Sequence, residues 1–183
     1  MIRSLVQTHT TLAERLDAAS PWLTPTLARL VFLVVFFFYF WNSAVLKIDG
    51  SIFSPSAGAF GQIFPKAAEA VLWDVTQMSF FQRIVIFAGT VAEFVLPVLI
   101  LIGLMTRLAA LGMIGFVMVQ TLVDVTGHGV ELGSWFGNAG GLLNERTLWV
   151  FLFAVLVIRG AGPISVDALL GRVTSGRRAE VTG

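Results

Sequence analysis

Cysteine is absent from all 183 residues. Disulfides, thiolate metal sites and any dithiol relay within this chain are thereby excluded, and the redox character of its compartment goes unmarked. Histidine is almost as scarce, with only His9 and His128. A tightly held transition metal needs three or more ligands in a fixed geometry, so no metal site is expected. Charge is the third shortage. Asp, Glu, Lys and Arg make up 13% of the chain and the formal net charge is +1. No basic face is available to meet phosphates, which argues against nucleic acid as a partner. There is no phosphate-loop signature, no recognisable nucleophile–base arrangement and no set of residues that would hold a covalent cofactor. A self-sufficient enzyme is therefore not expected. Residues 1–20 also lack the apolar core and small-residue cleavage site of a signal peptide, which leaves the first spanning helix to serve as the insertion signal.

What the chain has in place of these is hydrophobicity. Apolar residues make up 56% and the mean hydropathy is +0.85, too apolar for an ordinary soluble domain. The lipid bilayer is the first partner this implies. Residues 84–102 and 108–123 are two apolar runs separated by Gly103-Leu104-Met105-Thr106-Arg107. Each is about long enough to cross a ~30 Å hydrocarbon layer as a helix, and the link between them suits a tight antiparallel hairpin. Two further runs flank the hairpin, so four spans are expected, at about 27–46, 80–104, 106–126 and 144–159. The expected fold is all-α: an antiparallel four-transmembrane-helix bundle over 25–163, with an N-terminal segment 1–24 and a C-terminal tail 164–183. Leu12 and Leu16 sit four apart among charged residues, which fits either a short interfacial helix or a disordered tail. Thr24-Pro25 reads as an N-cap and first helical position for the first span.

Residues 47–79 form the longest stretch between spans. Gly50, Ser51, Pro55, Gly58, Gly61 and Pro65 mark its first half as loop. Phe53, Phe60, Ile63 and Phe64 are too apolar for a solvated linker, so the loop is expected to fold back onto the bundle or dip into the interface. A short helix is expected over 66–78. Glycines and Trp135 and Phe136 mark 127–141 as a second loop, and a last short helix is expected from Ser165 to Leu170.

Orientation follows from counting cations on each side. Arg3, Arg15, Arg29, Arg107, Arg159, Arg172, Arg177 and Arg178 fall on one side, and Lys47, Lys66, Arg83 and Arg146 on the other. The richer side faces the cytoplasm, which puts both termini there.

This folding gathers the scarce polar residues at the outer end. Gln120, Asp124 and His128 are four apart and share a helix face; Gln82 and Arg83 lie level with them on the second span, and Asn42 and Lys47 on the first. These seven are the candidate ligand-binding set, suited to a small polar head with an apolar tail. The plainer alternative is a salt-bridged rim, with Lys47 paired to Asp49 and Asp124 to His128. Glu93 lies roughly 15 Å below Arg83 at helical rise. An ionisable group at that depth is a functional hypothesis by default: either a protonated carboxyl hydrogen-bonded between helices, or a proton-carrying or ligand-binding group. Pro97 lacks the N–H that would meet the Glu93 carbonyl. Ala88, Gly89 and Ala92, and likewise Gly112 and Gly115, read as surfaces for close helix packing.

Four pieces in order carry a resemblance. They are Phe40-Trp41-Asn42-Ser43-Ala44-Val45-Leu46-Lys47-Ile48-Asp49; Ala92-Glu93-Phe94-Val95-Leu96-Pro97; Gly103-Leu104-Met105-Thr106-Arg107; and Gly160-Ala161-Gly162-Pro163-Ile164-Ser165-Val166-Asp167-Ala168-Leu169. Together they resemble the DoxX family of small bacterial membrane proteins, over about 27–172. The resemblance implies a four-helix bundle in the bacterial cytoplasmic membrane. It also implies a link to quinone chemistry through the thiosulfate:quinone oxidoreductase subunit from which the family name derives, and to membrane or periplasmic redox proteins as partners. Three functions follow as expectations: a quinone- or proton-handling subunit supporting a redox partner, a non-catalytic scaffold or accessory subunit, and a small-solute transporter. A homo-oligomer is compatible with each. Reporter fusions after Gly137 and Gly183 are expected to land on opposite sides of the membrane; the same side for both would overturn the four-span topology.

Overall fold

The computed structural model describes residues 2–136 and 141–181, with the side chains of 174–181 left aside. Among the described residues the fold is all-α apart from one short β-hairpin. Among these residues three helices are long and apolar enough to cross a membrane: Ile2–Leu46, Phe80–Ile102 and Thr106–Thr126. A fourth, Leu142–Arg159, packs along the third and the first.

The first of these runs as α1 (Ile2–Phe32), a π-helical turn (Leu33–Phe37) and α2 (Phe38–Leu46). The π turn answers the spacing of the core side chains. Ala28, Phe32, Phe36, Phe40 and Ala44 are all buried and recur every four residues. On an α-helix that spacing drifts by about 40° per step, and a wider turn in the middle cancels part of the drift. Phe32 and Phe36 then meet Phe153, and Phe36 meets Trp149 with ring centroids 5.0 Å apart. Ile100, Ala109, Ala110, Met113, Val117 and Leu156 complete this core.

Neither a separate short interfacial helix nor a disordered tail precedes the first span. Residues 2–46 form one continuous helix, and Thr24-Pro25 is not its start: Pro21 and Pro25 both lie inside it. A proline removes one backbone donor, but residues 11–19 are mostly good helix formers. Pro25 is also buried against Gly162, where an added Cβ would lie 2.8 Å from the proline ring.

After α2 the chain makes a small antiparallel hairpin, β1 (Ile48–Asp49) and β2 (Ser51–Pro55), turning at Gly50 with φ +72°. Then come α3 (Ala57–Ile63), capped by the Ser56 hydroxyl, and α4 (Pro65–Ala70). Residues 47–79 thus fold back on the bundle, as their apolar side chains require. Ala59, Phe60, Ala68, Met78 and Ile86 form a second, smaller core. The helix expected over 66–78 stops at Ala70, because Leu72 and Trp73 take left-handed conformations (φ 52° and 64°) that reverse the chain. The reversal lays the Trp73 ring on Gly61, at a distance no Cβ would allow.

α5 (Phe80–Ile102) begins with a capping box, Ser79 and Gln82 bonding reciprocally, a Ser-x-x-Gln pattern at its start. It ends at Gly103 in the left-handed conformation. α6 (Thr106–Thr126) follows, then α7 (Leu142–Arg159) and α8 (Val166–Val181). α8 extends past the expected end at Leu170. Of the expected loop 127–141, residues 137–140 lie outside the described residues, as do residues 182 and 183 of the tail. Among the described part, Trp135 donates its indole N–H to Thr147 at 2.9 Å.

One end of the bundle is tied by two side chains. Arg29 donates to the carbonyls of Ile100, Leu101, Ala161 and Ile164. Cations suit helix C-termini because the last carbonyls there lack intrahelical partners, and Arg29 serves the end of α5 in this way. Asp167, at the start of α8, accepts from the N–H groups of Met105 and Thr106 at 2.8 and 3.1 Å, capping α6 from sixty residues away. Asp167→Ala is expected to lower stability by roughly 0.5–2 kcal/mol, the worth of a helix cap, read as the thermal unfolding midpoint in mild detergent. Asp167→Asn, which keeps one acceptor oxygen, should fall between; an unchanged midpoint for Asp167→Ala would mean the clamp carries no stability.

Candidate functional site

Lys47 is the last residue before the hairpin and Glu93 sits midway along α5, and both are 4% exposed. Side chains on a helix lean toward its N-terminus. That direction points Lys47 back along α2, past Ser43, and points Glu93 up along α5, so the two side chains converge. The Lys47 ammonium lies 2.7 Å from Glu93 Oε2 and 2.9 Å from Oε1, and donates to Ser43 Oγ at 2.7 Å. Ser43 in turn donates to Glu93 Oε1 at 3.0 Å. Lys47 therefore does not pair with Asp49, which is exposed. Glu93 is not isolated at its depth: the Lys47 ammonium reaches it, and the two form a buried pair.

Beside this pair, a cavity of about 420 Å³ separates α5 from α6. Ala88, Gly89, Ala92 and Leu96 form one wall; Gly112, Gly115, Phe116 and Val119 form the other. The cavity opens sideways on the apolar surface of the bundle, where Ala88, Gly115 and Val119 are exposed. The small residues do not serve close helix contact as expected. No atom lies within 4 Å of a Cβ built on Gly89 or on Gly115; Gly112 alone meets a neighbour, Leu96 at 3.1 Å. They make room instead.

Of the expected ligand set, Lys47, Gln120 and Asp124 line this cavity, together with Glu93. The other four do not. Asn42 is exposed on α2. Gln82 is engaged in the α5 capping box, and Arg83 donates to the Val75 carbonyl at 2.8 Å. His128 is exposed, its Nε2 2.9 Å from the Gln62 carbonyl oxygen. Asp124 does not pair with His128; it meets Arg146 of α7 at 3.0 Å. The helix path explains both differences, since α6 ends at Thr126 and His128 already lies on the following turn.

Three participants stand outside the expected ligand set, Arg146 among them although its cation is expected at this end of the bundle. Ser43 bridges the ion pair. Gln62, from α3, lines the cavity because the 47–79 segment folds over its mouth. Arg146 is buried, stacked over Trp149 at 4.1 Å from the ring centroid. Its Nε and Nη1, and the Oε1 of Gln120, have no hydrogen-bonding partner among the described residues, while Gln120 Nε2 donates to the Tyr39 hydroxyl at 3.0 Å. Arg146 falls at the start of the span expected over 144–159, and nothing local in the sequence shows that it turns inward. No group of three His, Asp or Glu side chains that could hold a metal occurs among the described residues.

The arrangement offers an apolar slot, a bonded carboxylate–ammonium pair at mid-depth, and amide and carboxylate groups toward one end, the carboxylate of Asp124 held from behind by Arg146. It can take an amphiphile lengthwise and exchange hydrogen bonds or protons with its head. No family model matches this chain, and neither the curated proteins nor the solved structures yield a match.

Removing one member of a buried pair leaves an uncompensated charge, which costs about 3–5 kcal/mol. Lys47→Met and Glu93→Gln are each expected to show a large fall in thermal stability, and the double variant Lys47→Met/Glu93→Leu to recover most of it. A double variant that falls by the sum of the two singles would show that the two side chains are not energetically coupled.

Proposed function

We propose that this chain is a DoxX-like four-span protein of the bacterial cytoplasmic membrane, with both termini cytoplasmic. In this reading it holds the head of a quinone-like amphiphile between α5 and α6 in support of a membrane or periplasmic redox partner. The carrying observation is the cavity itself: apolar walls open toward lipid, with Lys47–Glu93 and Gln120–Asp124 inside it. An apolar pocket with a few convergent polar groups is the usual form of a small-molecule site. α7 serves as the fourth span on this reading, since residues 147–158 between Arg146 and Arg159 carry no charge and pack along α6. The four resembling motifs support the family, and two of them hold Lys47 and Glu93.

The division of labour follows from what the chain contains. Quinone reduction takes up two electrons and two protons. The electrons come from the partner, because this chain has no residue set to carry them. Its own residues bind and orient the head, and the Lys47–Glu93 pair, hydrogen-bonded through Ser43, holds exchangeable protons at mid-depth.

Filling the slot tests the reading without touching its polar groups. Gly89→Leu and Gly115→Leu place side chains where nothing now stands within 4 Å, and replacing a helical glycine gains roughly 0.5–1 kcal/mol. Both variants should melt at or above the parent temperature while binding a short-tailed quinone analogue at least about tenfold more weakly, a loss of ~1.4 kcal/mol. Undiminished binding in both would remove the quinone reading.

A further inference from the structure

The first helix continues well outside the bundle. From Ile2 to Leu16 it rises about 21 Å, and every apolar side chain on it except Ala13 is exposed. Those side chains are not scattered. At 3.6 residues per turn, Ile2, Leu5, His9, Leu12 and Leu16 fall on one face, spaced three and four apart. Arg3, Gln7, Thr11 and Glu14 fall on the opposite face. The line carries on through half-buried Leu23 to exposed Leu27, Leu30 and Val34. There it lies across the helix from Pro25, Ala28 and Phe32, the side chains buried in the bundle.

We infer that this stripe is the interface for a second copy of the chain, the two first helices packing in parallel. Lipid covers the upper part of the stripe in any case, but the part below the membrane has an apolar face in water. Because the helix is continuous, both parts point the same way, and a second identical helix in the same membrane meets both. Two copies inserted alike are necessarily parallel. Charge fits that arrangement. Arg15 and Asp17 lie about 100° to either side of the stripe, so in a parallel pair each Arg15 faces the partner's side bearing Asp17, the geometry of flanking charges in parallel helix pairs. The segment's four charges, Arg3, Glu14, Arg15 and Asp17, cancel, leaving nothing to draw the stripe onto an anionic lipid surface.

The absence of native cysteine makes the test clean. Single Leu5→Cys and Leu12→Cys variants of the full chain, in native membranes and in mild detergent, should form a disulfide-linked dimer on mild oxidation. Gln7→Cys and Glu14→Cys, on the far face, should form little. Arg15→Asp should weaken dimerisation by roughly threefold to tenfold, and the swap Arg15→Asp/Asp17→Arg should restore it, a rescue that only self-pairing yields. Equal cross-linking on both faces would mean random collision and overturn the inference. So would a Leu12→Cys that neither cross-links nor reacts with a water-soluble thiol reagent, since lipid or another protein would then cover the stripe. Failure of the charge swap to rescue would overturn the parallel arrangement.

Discussion

The ammonium of Lys47 and the carboxylate of Glu93 meet at 2.7 Å with both side chains almost wholly out of solvent, and the half of the bundle that carries the hairpin is arranged around keeping them together. Neither ion is tolerable alone among apolar side chains; the effective penalty is several kcal/mol per ion. The pair therefore fixes where the end of α2 sits against the middle of α5. It also fixes where the hairpin begins, because Lys47 both caps the end of α2 and accepts from the Ser56 N–H across the hairpin. From that point 48–79 has no freedom to leave as a solvated loop. Ser56 caps α3 while its hydroxyl donates to the Leu46 carbonyl, and Phe60 carries the segment onto Ile86 of α5.

The opposite end solves a different problem with similar means. Backbone groups at helix ends lack partners, and in an apolar setting each must find one. Arg29 supplies donors to the carbonyls at the end of α5, and Asp167 supplies acceptors to the N–H groups at the start of α6. Gly103 lies between them: a Cβ there would come within 2.5 Å of Ser165 and 3.1 Å of Arg29, at a φ of +72°. With α5 and α6 pinned at the turn by this clamp, and α5 drawn toward α2 by the ion pair, the two helices are free to part in between. The cavity lies in that interval.

Much of this was legible in the sequence. The apolar runs located α5, α6 and α7 to within a few residues, since periodicity and the Gly103-to-Arg107 break are local signals. The polar residues of the outer end were recognised as a group, and three of the seven do line the cavity. What local pattern could not show is reach. Lys47 was assigned by level, and a lysine stem that leans back a full turn lands at a different level. His128 was assigned by extending the α6 face beyond the turn at which that helix stops. The glycines of α5 and α6 are ambiguous in principle: a small side chain permits contact or leaves room, and here α5 meets α6 where Leu96 packs on Gly112 while Gly89 and Gly115 face open space. The N-terminal segment differs because proline is a strong local break signal, yet Pro25 sits where the helix is held by its contact with Gly162.

Both carboxylates of the cavity are matched by cations, Glu93 by Lys47 and Asp124 by Arg146. The slot consequently presents strong local dipoles but no net charge. An anionic head, such as a fatty-acid carboxylate, would have to compete with Glu93 for Lys47 or with Asp124 for Arg146, and a cationic head would meet the reverse competition. Each exchange would release a buried ion without a partner, the costly half of a broken pair. A neutral head with carbonyl or hydroxyl oxygens avoids this. It can donate to Gln120 Oε1, which has no other partner among the described residues, while both ion pairs stay closed. On the proposed reading, the charge pairing is thus what selects an uncharged head, and the apolar walls are what select its tail.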